Sequence, residues 1–248
     1  MRIIAVSNIK GGVGKTTTAV NLAYLCAAGG ERTALWDLDS QGAASWILEA
    51  DPEKRATVRQ LLDGTRELTE VVVSTAYENL DVIPADFSYR KFDAKLAEDS
   101  NPTKRLLRMS RPLSKDYDTL FMDCPPGISL LSESVLRAAD ALVVPLLPTP
   151  LSVRMLEQLV EFIAQHEWAD LKLLPVFSMV DRRKSLHHEV IEATRKQFPQ
   201  VLKTEVPYSS EIERITMRRA PLNSYAPGSE QGQVYAALWK EVEKRLKH

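Results

Sequence analysis

The chain has 248 residues, 44% apolar and 26% charged, which fits a soluble globular protein and excludes a disordered or fibrous one. A formal net charge of −1 excludes a uniformly basic nucleic-acid binder, so any contact with DNA has to come from a local patch. Two cysteines, Cys26 and Cys124, are too few for a disulfide scaffold and point to a reducing compartment. No signal peptide, apolar spanning run or linker rich in Gly, Ser or Pro is visible, so the expectation is a single domain over residues 1–248, placed in the cytoplasm.

The apolar run from Arg2 to Ser7 predicts a strand, and Lys10, Gly11, Gly12, Val13, Gly14, Lys15, Thr16 and Thr17 follow it, ahead of a helix-like segment from Thr18 to Ala28. Strand, glycine loop and helix in that order are the setting of a phosphate-binding loop. The glycines let successive backbone N–H groups turn inward around an anion, and the helix N-terminus adds its own donors and dipole. Lys15 is expected to meet the β- and γ-phosphates of a nucleotide, and the Thr16 hydroxyl to ligate Mg²⁺. The usual first glycine of such a loop falls on Ile9, and an additional lysine, Lys10, stands at the mouth. Gly29 and Gly30 cap the helix, which makes Cys26 a small core residue. The run 33–39 reads as a buried parallel strand ending in acids, with Asp39, Ser40, Gln41 and Gly42 at its carboxyl end, where open α/β sheets bind ligands. Asp and Ser suit a helix N-cap there equally well.

Segment 57–73 yields a short helical stripe of Val58, Leu61 and Leu62, and 79–85 a further strand. The run 101–113 reads as a basic helix presenting Lys104, Arg105, Arg108 and Arg111 on a solvated face. The apolar strand 117–123 delivers Asp123 to the sheet edge, as a Walker B element requires, because Mg²⁺ takes one carboxylate plus waters. Pro125, Pro126 and Gly127 open the loop beyond it, while Cys124 lacks a second cysteine for a metal cluster. Strand 140–146 leads to a helix 152–166 with an inward stripe of Met155, Leu159, Phe162 and Ile163, and strand 171–180 follows. Beyond Arg182 and Arg183 comes a helix with Leu186, Val190, Thr194 and Phe198 at fourfold spacing. Adjacent His187 and His188 face different directions there, make a poor metal pair and are expected to be exposed. If 211–219 is helical, Arg214 and Arg218 share a face with Arg219 beside them. With Arg182 and Arg183 they form a candidate set for DNA phosphates, the alternative being surface arginines paired with Glu211 and Glu213. The last helix, 233–247, carries Val234, Leu238, Val242 and Leu246 and is expected to pack on the core rather than lie on a membrane.

With its two lysines, the loop from Lys10 to Thr17 resembles the deviant Walker A loop of the ParA/MinD family of ATPases. The strings Asp37-Leu38-Asp39-Ser40-Gln41-Gly42 and Asp123-Cys124-Pro125-Pro126 resemble that family's further motifs, in the same order. The resemblance implies a three-layer α/β/α P-loop NTPase fold with a mostly parallel, doubly wound sheet, ATP and Mg²⁺ as cofactors, weak ATPase activity and a homodimer in the ATP state. It implies that Lys10 crosses the dimer interface to the other subunit's nucleotide, joining Lys15 and Asp39 in catalysis. Asp39 would orient the attacking water and neighbour the metal held by Thr16 and Asp123. Asp181 and Pro207 would wall the adenine. The chain is most similar to ParA-like partition ATPases of the Soj type without an N-terminal DNA-binding domain, although 211–219 departs from their usual wording. That likeness implies non-specific DNA binding, a nucleoid-associated location and a ParB-like or cargo-adaptor protein that stimulates hydrolysis. Two alternatives stand beside it: a membrane-surface organiser of the MinD kind, and a metal-cluster ATPase akin to the nitrogenase iron protein, which the cysteine pattern disfavours.

Overall fold

Strand β1 (Arg2–Val6) is buried from Ile3 onward and lies inside an extended sheet. The computed structural model describes residues 1–166, 168 and 170–247. Its further strands are β2 (Thr33–Asp37), β3 (Val73–Ser74), β4 (Leu80–Ile83), β5 (Thr119–Asp123), β6 (Ala141–Leu146), β7 (Lys172–Val180) and β8 (Glu205–Pro207). The sheet order is β3-β4-β2-β5-β1-β6-β7-β8, and neighbours run parallel except for the β3–β4 pair. Alternate residues of each central strand point to opposite cores: Ile3, Ala5, Trp36, Leu120 and Met122 to one, Ile4, Val6, Leu35, Phe121 and Val143 to the other. That is why these strands read as continuous apolar runs rather than as alternating ones.

The helices are α1 (Lys15–Ala28), α2 (Ala43–Ile47), α3 (Val58–Leu62), α4 (Phe92–Leu96), α5 (Arg105–Ser110), α6 (Leu130–Ala138), α7 (Pro150–Gln165), α8 (Ser185–Gln197), α9 (Ser210–Glu213), α10 (Ile215–Arg218), α11 (Leu222–Tyr225) and α12 (Glu230–Lys247). One face of the sheet is covered by α1, α2 and α12, the other by α3 to α8, so the chain is a doubly wound three-layer α/β/α structure. As expected, α1 ends at the glycine pair: Gly30 takes φ 95 and donates its N–H to Ala27, while Gly29 donates to Leu25. Tyr235, Leu238, Trp239 and Val242 of α12 are buried in the core, in keeping with the packing role expected of that helix.

Three local expectations change. Segment 101–113 is broken into a 3₁₀ turn at Pro102–Lys104, α5 and a second turn at Arg111–Lys115; Pro112, which cannot donate a backbone hydrogen bond, stops α5. Lys104, Arg108 and Arg111 are exposed as expected, whereas Arg105 is half-buried, donating to the Leu62 carbonyl beside Asp99. The stripe of α7 is only half-buried, with Leu156 at its centre. In α8 the buried side is His187, Val190, Ile191 and Thr194, while Leu186 faces out.

The chain leaves β1 toward β2 on one side, and β5 and β6 flank β1 itself. Ligands bind at such switch points, beyond the carboxyl ends of the strands. Because β2, β5 and β1 are adjacent, the loops after them emerge side by side.

Candidate functional site

The loop after β1 is held open by backbone geometry that only glycine adopts freely: Gly12 has φ 70 and Gly14 φ 84. Helix α1 starts at Lys15 directly behind Gly14, and no side chain caps its first turn, so those amides remain available to an anion. Neighbouring strands pin the loop in place. The Ser178 hydroxyl donates to the Val13 carbonyl at 2.7 Å, and Asn8 bridges the Pro145 carbonyl (2.6 Å) and the Lys10 N–H (2.9 Å). The Lys15 ammonium donates to the Lys10 carbonyl at 3.1 Å. Burial lowers its pKa, against the pull of the nearby Asp123 and Asp39 carboxylates. Gly11, Gly12, Gly14, Lys15, Thr16, Thr17, Asp39 and Pro126 line an open cleft of about 350 Å³ together with Met179. The side chain of Lys10 is half-buried at the mouth and does not line the cleft.

Beneath the cleft, Asp37 and Asp123 stand opposite each other on β2 and β5, both fully buried. Asp37 accepts hydrogen bonds from the Ser45 amide (2.8 Å), the Ser45 hydroxyl (2.7 Å) and the Asp39 amide (3.2 Å). It therefore shapes the turn that carries Asp39, a role that sequence reasoning did not assign to it. Burial pushes its pKa up to about 6. Asp123 differs, because among the described residues neither of its oxygens has a hydrogen-bond partner. Burial, reinforced by the charge of Asp37, raises its pKa well above the usual range, opposed by the Thr16 hydroxyl and Lys15. Two orphaned carboxylate oxygens beside a threonine hydroxyl and a phosphate loop fit a divalent cation. Among the described residues no three His, Cys, Asp or Glu side chains form a closed metal cage. The donor set therefore suits Mg²⁺, completed by water and phosphate oxygens. Asp39 lies at the cleft with its carboxylate accepting the Gln41 N–H at 2.9 Å, and Gly42 donates back to its carbonyl.

Next to the loop is a cavity of about 280 Å³ whose walls include Thr17, Ser178, Met179, Pro207, Tyr208, Glu213 and Thr216. Of the two residues expected to wall the adenine, Pro207 lines this cavity and Asp181 does not. The Asp181 carboxylate is taken up by Arg183 at 2.9 and 3.0 Å, which holds it well below the usual range. Met179, in the left-handed region at φ 55, stands at the wall instead. His187 is not exposed as expected: its Nδ1 accepts the Asp181 N–H at 3.1 Å, and burial lowers its pKa. His188 does face solvent.

The five candidate arginines do not make one free cluster. Arg182 pairs with Glu230, Arg183 with Asp181, and Arg219 with Glu49 while lying 4.0 Å over the Trp46 ring. The 211–219 segment is two short helices rather than one, joined at Arg214 and ended by Arg219 in the left-handed conformation. Arg214 and Arg218 are exposed and, among the described residues, form no ion pair with Glu211, Glu213 or any other acid. Arg218 rests 4.7 Å over the Tyr225 ring.

A glycine loop between a buried parallel strand and an uncapped helix, with an unpartnered aspartate at the end of the adjacent strand, defines a P-loop nucleoside triphosphatase. A family model described as an AAA domain matches residues 1–172. The chain is 35% identical to the sporulation initiation inhibitor protein Soj of Bacillus subtilis, over 97% of this chain and 98% of Soj. It is 34% identical to the chromosome partitioning protein ParA of Myxococcus xanthus, over 98% and 88%. The crystal structure of cobyrinic acid a,c-diamide synthase from Mycobacterium smegmatis, with bound ATP analogue and magnesium, matches with a TM-score of 0.83 at 27% identity, covering 100% of this chain and 96% of that one. The chain belongs to the ParA/MinD family of deviant Walker A ATPases. It is an ATPase whose cofactors are ATP and Mg²⁺.

Proposed function

We propose that residues 1–248 work as one partition ATPase domain that pairs with a second copy when ATP is bound. In that state the dimer binds DNA without sequence preference, and a ParB-like or cargo-adaptor protein resets it by stimulating hydrolysis. Lys15 and the amides of residues 10–17 hold the phosphates, and Thr16 and Asp123 hold the metal. Bound Mg²⁺ neutralises charge developing on the transferred phosphoryl oxygens. Asp39 orients the attacking water, and Lys10 reaches the nucleotide of the other copy. The kinship with Soj and ParA supports a partition role, and with it a place on the nucleoid in the cytoplasm.

The observation that carries the DNA part is the state of Arg214 and Arg218, exposed cations without an acidic partner among the described residues, in a segment that also walls the cavity beside the phosphate loop. Light scattering with a non-hydrolysable ATP analogue, followed by fluorescence anisotropy with unrelated duplexes, tests this reading. The expected result is a dimer that binds every duplex alike and a monomer that binds poorly. A dimer that ignores DNA at low salt yet binds anionic liposomes would replace it with a membrane-surface role. The buried apolar side of α12 speaks against that outcome.

A further inference from the structure

Trp46 is 56% exposed, an unusual place for a tryptophan, yet it is tied down from three sides. Its indole N–H donates to the Thr216 carbonyl at 3.2 Å, its own carbonyl accepts from the Arg219 Nε at 3.1 Å, and the Arg219 guanidinium lies 4.0 Å above its ring. Arg219 also reaches Glu49 at 3.3 Å and sits at φ 50, a left-handed conformation that a non-glycine residue keeps only when its surroundings hold it there. These contacts join α2 to α10 across about 170 residues of sequence.

Each side of the join touches the nucleotide region. On one side, Trp46 follows Ser45, whose amide and hydroxyl are held by Asp37, and the Trp46 N–H donates to the carbonyl of Gly42 in the turn that begins at Asp39. On the other side, Glu213 and Thr216 wall the 280 Å³ cavity, and Arg214 and Arg218 stand on the same turns, linked by the Arg218 N–H to the Arg214 carbonyl at 2.8 Å. An open space of about 500 Å³ lies against Ser40, Gln41, Gly42, Trp46 and Arg219, leaving that corner room to shift.

We propose that Trp46 and Arg219 form a clasp through which the Asp39 turn sets the position of α10, so that Arg214 and Arg218 are presented to DNA in the ATP state and withdrawn in the ADP state. The proposal rests on the DNA-binding reading above for its output. Its input, the response of Trp46 to nucleotide, stands apart from that reading. Trp46 is a positioning residue here, because it does not line the cleft and its bonds run to Thr216 and Arg219 rather than to Arg214 or Arg218.

Two measurements on the full chain test it. The first is tryptophan emission with ADP·Mg²⁺ and with a non-hydrolysable ATP analogue. Trp36 and Trp239 are buried and Trp168 is half-buried beside Phe162 and His166, and Trp46→Phe keeps all three, so subtracting its spectra isolates Trp46. A difference between the two nucleotides that disappears in Trp46→Phe is expected, and the absence of any Trp46 response would overturn the clasp. The second is duplex anisotropy. Trp46→Ala should lose about tenfold of the ATP-over-ADP preference for DNA, within the usual range of coupling between sites, while calorimetry shows analogue affinity unchanged. Trp46→Phe, which keeps a ring under Arg219, should restore most of the preference. A Trp46→Ala protein with the parental preference would overturn the proposal, as would a loss that appears only with a lower melting temperature and is not rescued by Phe. If the parent ignores DNA in both nucleotide states, the DNA reading fails and the emission result alone decides the clasp.

Discussion

Asp37 and Asp123 face each other in register on adjacent strands, sealed from solvent, and among the described residues one is satisfied by three hydrogen bonds and the other by none. The contrast separates them: Asp37 is committed to shaping the turn at Asp39, whereas Asp123 has the unpartnered oxygens that the metal role proposed above requires. Holding two carboxyls so close also makes the site sensitive to pH.

The folded protein keeps Asp37 protonated up to about 6, whereas the unfolded chain releases that proton near the ordinary 3.8. Asp123 is shifted in the same direction. Asp37 therefore favours the native state fully below about pH 4, and that contribution is lost as pH rises through about 6; Asp123 adds a contribution of the same sign. Cation binding has the opposite sign, since it requires the ionised carboxylate. Calorimetric melting should show that Mg²⁺ with nucleotide raises the melting temperature more at pH 7.5 than at pH 5.5. An equal rise at both pH values would remove Asp123 from the metal site.

Lys15→Ala should abolish measurable ATP binding, a loss of at least about 2–3 kcal/mol for a charged donor removed from a partly dry site. Titration calorimetry with the non-hydrolysable analogue checks it. An unchanged affinity would contradict the phosphate-loop assignment.

Asp39→Ala should leave ATP binding intact and accumulate the dimer, because a water-orienting carboxylate contributes mainly in the transition state. Phosphate release should fall by about 10²-fold or more. Lys10→Ala should act in reverse, preventing dimerisation by removing a cation from between two nucleotides. Light scattering separates the two variants, and a fully dimeric ATP-bound Lys10→Ala protein would show that Lys10 is not an interface residue.

Arg218→Glu should weaken binding to every duplex equally while ATP binding and dimerisation survive, and Arg214→Glu should do so to a smaller extent. Arg182→Glu should have less effect still, since that side chain is already paired with Glu230. Every DNA phosphate that a variant no longer neutralises should flatten the dependence of log affinity on log salt by about 0.9. Anisotropy at several salt concentrations, with the Asp39→Ala dimer fixing the nucleotide state, measures the slope. A parental slope in Arg218→Glu would exclude it from the DNA interface.

The contiguous parts of the site are legible in the sequence. A loop of glycines behind an apolar strand, and a strand ending in aspartate, are patterns whose chemistry is carried by residues a few positions apart. The sheet and its layers follow, because strands covered on both faces have no polar alternation to hide. Less is legible where a residue's surroundings come from elsewhere in the chain. His187 reads as a surface histidine, yet it is buried on α8 and accepts the amide of Asp181. Trp46 carries no signal of a partner in its own segment, yet Arg219, 173 positions on, donates to its carbonyl and lies over its ring.

The sequence by itself determined the phosphate loop, the acids at the ends of β2 and β5, the family and the ATP·Mg²⁺ chemistry, because local spacing sets where backbone amides and carboxylates can converge. Only the tertiary structure decided which acid is hydrogen-bonded into the fold and which keeps its oxygens free of partners among the described residues, which arginines form no ion pair among those residues, and that Trp46 meets Arg219. Those outcomes depend on burial and partner choice among residues up to about 170 positions apart. Desolvation and ion pairing are properties of the packed surroundings, and no local pattern carries them.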